Sequence, residues 1–347
     1  MKNTKIFTPL FLLVSCWNAV GQPHAKLHTE NVFLILVDGL RWQEVFTGAD
    51  SALMNKENGG VENSASLKQA YWRDNLEARR EVLLPFLWLV VAKQGQLFGN
   101  QNKGSVAKVT NGFHFSYPGY SEMIVGYADT AINSNDKRPN PNVSVFEWLH
   151  KKPRFKGKVA AFGAWDVVSW IINYQRCGFY VNSGIDPVIV GKISAEQALL
   201  NRLKGELHHP WGTEPYDAIT FYAALEYIKA NQPRALWMTF GETDEFAHAG
   251  RYDHYLDAAR RTDNFLKTLW ETLQSISQYR DKTTLIVVVD HGRGDAQEWT
   301  NHGADIKGAE NLWIAIVGPD TPALGERMNS GLHTQSQIAA TVAAALG

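Results

Sequence analysis

The strongest constraint on the fold is a series of short, almost continuously apolar runs separated by stretches with helical patterns. The runs are NVFLILV (31–37), GKVAAFG (157–163), RALWMTF (234–240), TLIVVV (284–289) and LWIAIVG (312–318). Such runs are typical of strands in a parallel sheet that helices cover on both faces, because a half-exposed strand alternates apolar and polar residues. We therefore predict an α/β fold of three αβα layers around a mostly parallel central sheet.

Helical periodicity between and after these runs supports the layered arrangement. After Arg251, apolar side chains fall at helical spacing on one face, and they are Leu256, Ala259, Phe265, Leu266, Leu269 and Leu273. The closing segment QSQIAATVAAALG predicts a final covering helix. Two tracts rich in Asn, Gly, Ser or Pro, 49–66 and 138–141, are predicted to be surface loops.

Composition narrows the classes of partner. A chain of 347 residues with 45% hydrophobic and 20% charged residues is an ordinary globular protein with ample core. Its formal net charge is −1 and it has no basic stripe, so nothing indicates a nucleic-acid-binding surface or electrostatic attachment to a membrane. We expect a small-molecule substrate, and the sequence does not determine the oligomeric state.

The N-terminus is typical of an export signal, because Lys2 and Lys5 precede the apolar run IFTPLFLLV, which is too short to span a bilayer. We predict a signal over 1–21 and a single catalytic domain over 22–347. LVSC ending at Cys16 favours a bacterial lipoprotein with a lipid anchor, whereas AVG before Gln22 would suit ordinary cleavage. The protein is expected in the periplasm, on a membrane or secreted, and Cys177 then has no partner for an internal disulfide.

Three of the apolar runs lead to an aspartate: VFLILVD ends at Asp38, ALWMTFGETD reaches Asp244 and TLIVVVD ends at Asp290. In open α/β sheets, ligands bind beyond the carboxyl ends of the strands, so carboxylates from distant segments can meet there. Each aspartate alone could equally be a helix cap or a turn residue. The coincidence of three favours a common site.

Histidines accompany two of these aspartates. In DEFAH, Asp244 and His248 are four residues apart, so a helical turn would place both on one face; the alternative is a local hydrogen bond between them. In VVDHG, Asp290 and His291 are adjacent and need a sharp turn to face one pocket, which the following glycines permit, and His302 comes shortly after. A mixed Asp and His set suits zinc, and it would also accept manganese.

A candidate nucleophile, Ser116, precedes Pro118 in NGFHFSYPGYSEM, at a point that favours the first turn of a helix. A hydroxyl at a helix N-terminus lies among N–H groups that favour anions, and a bound metal would make it an alkoxide near neutral pH. Two metals about 3.5–4 Å apart can stabilise the attacking and leaving oxygens of a displacement at phosphorus. The alternative is that Ser116 is only a helix cap.

Taken in order, LVDGLR, FSYPGYSEMIVG, ETDEFAHAG, VVDHG and NHG resemble the alkaline phosphatase superfamily of metallohydrolases, closest to its phosphodiesterase/nucleotide pyrophosphatase branch. The resemblance runs from about residue 31 to the last helix and implies an alkaline-phosphatase-like fold, two zinc ions and a phospho-enzyme on Ser116. It also implies two ligand sets, which are Asp38, Asp290 and His291 with the Ser116 oxygen, and Asp244, His248 and His302.

The sequence departs from that branch in the nucleophile motif and in the tract that follows it. The branch has Thr where this chain has Ser116, which keeps a hydroxyl, and Asn-His where this chain has Gly119-Tyr120. A downstream Asn of the branch donates a hydrogen bond to a phosphoryl oxygen. The corresponding tract GYADTAINSN is shorter here, and its alignment assigns that catalytic role to Asn135, with Asn133 as the alternative.

We therefore predict an exported, metal-dependent phosphomonoesterase or phosphodiesterase. Tyr120 stands where a formylglycine sulfatase needs Arg, which weighs against sulfatase activity, although a sulfatase or phosphonate hydrolase stays an alternative. A phosphoglycerate-mutase-like isomerase and a non-catalytic metal-holding binding protein are further alternatives. Only ten residues separate His291 from His302, so any substrate-recognition insert of the larger phosphodiesterases is absent there. Three arginines beside the motifs could hold phosphate oxygens or pair with structural carboxylates, and they are Arg41, Arg251 and Arg293.

Overall fold

The computed structural model describes residues 27–347; the predicted export signal and its two cleavage sites lie outside them. The strands of this part are β1 (Asn31–Val37), β2 (Gln96–Phe98), β3 (Ser105–Lys108), β4 (Val159–Gly163), β5 (Tyr180–Ser183), β6 (Ala235–Phe240), β7 (Thr283–Val288), β8 (Ile314–Val317), β9 (Gly325–Glu326) and β10 (Gly331–Thr334). Eight of them form the central sheet in the order β5-β4-β6-β1-β7-β8-β2-β9, and β3 pairs with β10 separately.

The central sheet is mostly parallel, as predicted. β1 pairs in parallel with β6 and β7, and β4 pairs in parallel with β5 and β6. Only β8 runs against its neighbours, β7 and β2. Every residue of β1, β6 and β7 is buried, which explains why these strands are mostly apolar rather than alternating.

Helices cover this sheet in two groups. The helices are α1 (Trp42–Thr47), α2 (Lys56–Gly59), α3 (Ser64–Tyr71), α4 (Leu76–Leu83), α5 (Ala92–Gln94), α6 (Ser116–Val125), α7 (Val145–His150), α8 (Val168–Ile171), α9 (Tyr174–Cys177), α10 (Ala195–Glu206), α11 (Asp217–Asn231), α12 (Glu242–His248), α13 (Tyr252–Ser275) and α14 (Gln337–Leu346). One group packs on the sheet through α7 and α14, and the other through α11, with α13 packed on α11 and its Phe265 ring 5.7 Å from that of Phe240 in β6. Among residues 27–347, no helix has both the length and the apolar composition of a membrane span.

The predicted amphipathic helix is α13, and the apolar face identified from the sequence is its buried face. All six of the predicted side chains are buried, namely Leu256, Ala259, Phe265, Leu266, Leu269 and Leu273. The predicted closing helix is α14, which contacts β1 and α6. Periodicity therefore identified correctly both where these helices lie and which side of α13 packs against the protein.

The prediction of a surface loop over 49–66 is wrong. This tract contains a 3-10 turn, α2 and the start of α3, and it buries Leu53. The asparagines that suggested a loop are helix caps: Asn55 Oδ1 accepts a hydrogen bond from the Asn58 N–H at 2.8 Å, and Asn63 caps α3 in the same way. Asn favours loops and helix starts for the same reason, since its side chain bonds nearby backbone groups.

Candidate metal centre

The three strand-end aspartates meet at one edge of the sheet. Asp38 directly follows β1, Asp244 lies in α12 just after β6, and Asp290 follows β7. Because β6, β1 and β7 are parallel neighbours in that order, their carboxyl ends lie side by side. The strand ends thus bring together carboxylates from three distant parts of the chain.

His291 lies at the centre of these carboxylates. Its Nε2 is 3.2 Å from Asp38 Oδ1, 3.2 Å from Asp290 Oδ2 and 3.8 Å from Asp244 Oδ1. The other ring nitrogen, Nδ1, lies 2.9 Å from the carbonyl oxygen of Gly292. A proton on Nδ1 would be donated to that carbonyl, which leaves Nε2 free to bind an ion among the carboxylates.

A second group of ligands adjoins the first through Asp244. The predicted helical turn is present as α12, and His248 Nε2 lies 3.1 Å from Asp244 Oδ2. His302 Nε2 is 3.0 Å from His248 Nε2 and 3.8 Å from Asp244 Oδ1. Among residues 27–347, two groups of side chains are compact enough to hold an ion each, and they are Asp244, His248 and His302, and Asp38, Asp244 and His291.

The resemblance divides these ligands differently, since it assigns Asp290, and not Asp244, to the ion beside Asp38 and His291. In the structure Asp244 belongs to both groups and lies between them. Asp290 is at the same distance from His291 Nε2 as Asp38 is, and its Oδ1 accepts a hydrogen bond from the Gly39 N–H at 3.2 Å. Asp290 Oδ2 is therefore also placed to bind an ion beside Asp38 and His291.

Unpaired buried oxygens show that this donor set fits cations. Asp38 Oδ1 and Asp290 Oδ2 are buried without a hydrogen-bond partner. Arg293 Nη2 lies 2.9 Å from Asp244 Oδ1, but this oxygen also has no hydrogen bond of suitable geometry. Buried carboxylates are costly unless they are paired or coordinate a metal. Three Asp and three His side chains in two groups fit two divalent ions of the zinc type.

The pKa values at the centre also show that its buried carboxylates lack enough positive charge around them. Burial, and then the nearby Asp38 carboxylate, raise the pKa of Asp290 well above its usual range. Burial lowers the pKa of His291, but Asp290 and Asp38 outweigh it and raise this pKa to about 9. Burial and the neighbouring His291 lower the pKa of His302 to about 2. In the absence of a divalent cation, protons thus neutralise part of the negative charge of these carboxylates.

Ser116 opens α6 and points toward this centre. The helix cap position belongs to Phe115, and no side chain caps the helix there, so Ser116 is the first helical residue rather than a cap. Its side chain is buried, and Oγ lies 3.5 Å from His291 Nε2. The alternative in which Ser116 only caps the helix does not describe this geometry.

Two further residues of α6 seat the helix on the centre. A Cβ on Gly119 would lie 2.5 Å from the Asp290 carbonyl oxygen, so only glycine allows this close approach. Tyr120 donates a hydrogen bond from its hydroxyl to Asp38 Oδ2 at 2.7 Å. From the sequence, Tyr120 is a departure from the branch and stands where a sulfatase needs Arg, and neither observation predicts its bond to Asp38. Its spacing of four residues from Ser116 could have shown that both lie on one face of the helix.

A cavity of about 180 Å³ opens onto the centre, and six predicted residues line it, namely Asp38, Ser116, Asn135, Asp244, His248 and His302. The Tyr117 N–H donates to Asn135 Oδ1 at 3.0 Å, which fixes the amide and turns its NH₂ group away from that bond. Asn133, the alternative, is not among the lining residues. Asn135 is therefore better placed than Asn133 to donate to a bound ester.

The three arginines beside the motifs all pair with carboxylates of the protein. The pairs are Arg41 with Glu44, Arg251 with Asp253, and Arg293 with Asp244. Arg41 and Arg293 are also fully buried. Of the two alternatives that the sequence left open for these arginines, the structure shows the pairing with carboxylates.

Gly39 gives a direct test of the position of Asp244. It has a φ of +60°, and an added Cβ would lie 2.5 Å from Asp244 Oδ1. We expect Gly39→Ala to weaken ion binding about 10- to 100-fold, because the added methyl group would displace the Asp244 carboxylate. The variant should also lose about 1–2 kcal/mol of stability, because alanine is strained in the left-handed backbone conformation. Ion content after dialysis and thermal unfolding measure the two effects.

Gly157→Ala is the matched control for this variant. Gly157 has a φ of +72°, but nothing lies within 4 Å of an added Cβ. It should therefore lose similar stability and keep its ions. If Gly39→Ala retained ions as firmly as Gly157→Ala, Asp244 would not be the ligand that its position indicates.

Comparison with known proteins gives the fold its class. No family model matches the chain, and no curated protein matches it in sequence. Among solved structures, a protein in the alkaline phosphatase superfamily from Vibrio parahaemolyticus is 12% identical with a TM-score of 0.50, covering 92% of this chain and 66% of that one. The phosphonate monoester hydrolase of Agrobacterium radiobacter is 13% identical with a TM-score of 0.55, covering 92% and 74%.

A third structure, a 2-O GAG sulfatase, is 11% identical with a TM-score of 0.51, covering 92% of this chain and 71% of that one. The protein therefore has the fold of the alkaline phosphatase superfamily, and the predicted alkaline-phosphatase-like α/β architecture is confirmed. These likenesses include a hydrolase of phosphonate esters and a sulfatase. They do not single out the phosphodiesterase branch.

Proposed function

We propose that the protein is a metal-dependent hydrolase of phosphoric esters that uses Ser116 as its nucleophile. The observation that carries the proposal is the position of Ser116 Oγ, 3.5 Å from His291 Nε2, at the edge of a centre with three carboxylates and three histidines. A site that only stored ions would not need a buried, uncapped hydroxyl beside them. The export pattern at the N-terminus supports action outside the cytoplasm.

Two sets of residues would hold the ions in this enzyme. Asp38, Asp290 and His291 would bind one ion beside Ser116, and Asp244, His248 and His302 would bind the other, with Asp244 near both. When bound, divalent ions would lower the pKa of the Ser116 hydroxyl and offset the negative charge of the ester.

The chain's own residues then position and attack the ester. Ser116 Oγ forms a bond to phosphorus as the bond to the alcohol oxygen breaks, and water later hydrolyses the Ser116 phosphoester and releases phosphate or a monoester. In the first turn of α6 the Tyr117 N–H is donated to Asn135, Pro118 has no N–H and the Gly119 N–H is donated to the Phe115 carbonyl. The helix would therefore offer the anion the Ser116 N–H and the positive end of its dipole. Asn135, held by the Tyr117 N–H, is placed to donate to a phosphoryl oxygen.

Sulfate or phosphonate monoester hydrolysis is the second candidate. Within the part of the chain that the structure describes, no Lys or Arg lines the cavity, so extra cations for a dianionic phosphomonoester are missing. A sulfate ester, a phosphonate monoester and a phosphodiester each carry a single negative charge. The likeness to a phosphonate monoester hydrolase and to a sulfatase supports including these esters, while Tyr120 weighs against formylglycine chemistry.

A panel of esters that all release p-nitrophenolate tests the proposal. It consists of p-nitrophenyl phosphate, bis-p-nitrophenyl phosphate, p-nitrophenyl sulfate and p-nitrophenyl phenylphosphonate. We expect the zinc-loaded protein to hydrolyse a phosphoric ester, and the diester faster than the monoester. Hydrolysis of the sulfate alone would favour the second candidate, and no hydrolysis of any ester by the ion-loaded protein would favour a non-catalytic role.

A further inference from the structure

Glu214 lines the catalytic cavity, although no pattern in the sequence drew attention to it. It lies in the loop between α10 and α11 and is only 5% exposed. Its Oε1 is buried without a hydrogen-bond partner. A Cβ on Gly241 would lie 1.7 Å from that oxygen, so the carboxyl group can occupy this position only because residue 241 is glycine.

Neither the fold nor the ions explain this carboxyl group. A buried carboxyl group without a partner destabilises the folded protein, and an apolar residue of the same shape would cost less. Burial, and then the Glu245 carboxylate, raise the pKa of Glu214 well above its usual range. Glu214 belongs to neither group that could hold an ion in residues 27–347. A ligand in the cavity is the remaining partner for it.

The surroundings of Glu214 favour a ligand that donates hydrogen bonds. Glu245 lines the same cavity and adds a second carboxyl group. Among residues 27–347, no Lys or Arg lines the cavity to pair with either glutamate. Trp165 supplies an apolar wall to the cavity. A carboxyl group accepts a hydrogen bond in either protonation state, so this recognition does not depend on how Glu214 titrates.

We propose that Glu214 accepts a hydrogen bond from a hydroxyl or ammonium group on a substituent of the ester, so that the substrates are esters of polyols or amino alcohols. The inference rests on the proposed function, because it concerns the ester that Ser116 attacks. It adds to that function a specificity-determining residue outside both ion-binding groups.

Four diesters of p-nitrophenol test this preference. Their second substituents are propyl, 3-hydroxypropyl, 3-aminopropyl and 3-(trimethylammonio)propyl, and rates measured with Ser116→Ala are subtracted to remove spontaneous cyclisation. We expect kcat/KM for the hydroxypropyl and aminopropyl esters to exceed that of the propyl ester by about tenfold or more, as a hydrogen bond to a buried carboxyl group implies. The trimethylammonio ester carries charge but no donor and should match the propyl ester.

The outcomes separate this inference from the function on which it rests. Equal rates for all four esters would overturn the inference and leave the hydrolase in place. An advantage for the trimethylammonio ester equal to that of the aminopropyl ester would show that charge, and not hydrogen bonding, is recognised, which also overturns it. Failure to hydrolyse any of the four by a protein that hydrolyses p-nitrophenyl phosphate would overturn the inference alone, and failure on that monoester as well would overturn the proposed function too.

Variants of Glu214 identify the acceptor. Glu214→Met has a similar length and no carboxyl group, so the ratio of hydroxypropyl to propyl rates should fall to about one, and the melting temperature should not fall. Glu214→Gln keeps an acceptor oxygen and should keep the hydroxypropyl preference. Glu206→Met, at an exposed carboxylate, is the control and should change nothing. If Glu214 only supported its loop, Glu214→Met would lower the melting temperature and slow all four esters alike.

Discussion

Ser116→Ala is expected to lower turnover by several orders of magnitude while the protein keeps its fold and its ions. The loss is large because a positioned, deprotonated oxygen is replaced by water, which must be ordered anew in each cycle. The fold should survive because Ser116 caps no helix and its removal leaves no buried group without a partner apart from the centre itself. Steady-state kinetics and ion analysis of the purified variant measure both outcomes.

A ranking of variants gives this prediction its controls. Asn135→Ala should cost less, on the order of 10²–10³, as one lost donor to a developing oxyanion does. Ser121→Ala, a buried serine of the same helix that bonds Asn140, should keep turnover near normal. A phospho-enzyme trapped at low pH should map to the peptide that contains FSYPGY. Label elsewhere, or near-normal turnover of Ser116→Ala, would contradict the nucleophile assignment.

Removal of the ions is expected to abolish hydrolysis and to lower the melting temperature. The purified protein should contain about two equivalents of a divalent ion, with zinc the expected metal, because the ligands form two groups. Stability should fall on chelation because the ions bind only the folded protein and because Asp38 Oδ1 and Asp290 Oδ2 are buried and accept no hydrogen bond. Full activity in a chelator, with no ion detected, would rule out a metal-dependent mechanism.

Ion binding should also release protons in a pH-dependent way. In the ion-free protein the His291 pKa is raised from 6.5 to about 9. The pairing of protonated His291 with Asp290 and Asp38 therefore stabilises the folded, ion-free protein fully below pH 6.5, and this stabilisation is lost as the pH rises through about 9. An ion that binds Nε2 must displace this proton near neutral pH. Calorimetric titration in two buffers of different ionisation enthalpy should show release at pH 7 that declines above about pH 9. Equal heats in both buffers at pH 7 would contradict binding at His291.

Most of the correct predictions from the sequence rest on patterns within short stretches of the chain. The aspartates at the ends of three apolar runs lie together because strands β6, β1 and β7 are parallel neighbours. The four-residue spacing of Asp244 and His248 placed both on one turn of α12 because a helix repeats every 3.6 residues. In both cases a short stretch of chain determines where its own side chains point.

The parts that the sequence did not predict depend on contacts between distant segments. Asp244 lies between the two groups, and no local spacing reveals such a shared position. The bond from Tyr120 to Asp38 joins residues 82 positions apart. Glu214 comes from an irregular loop whose path depends on the packing of its neighbours. The tract 49–66 was mistaken for a loop because helix caps and turns use the same residues.

The order of strands in the sheet also determines when during synthesis the centre can first exist. β1 hydrogen-bonds only to β6 and β7, and Gly39 and Asp290, which meet at the centre, are 251 residues apart in sequence. Pairing of such distant segments is slow, and it must wait until both have emerged from the ribosome. A nascent chain that ends before β7 lacks Asp290, His291 and His302 altogether. The ions can therefore bind only late in synthesis and folding, and bound metal indicates that nearly the whole chain has been synthesised and folded.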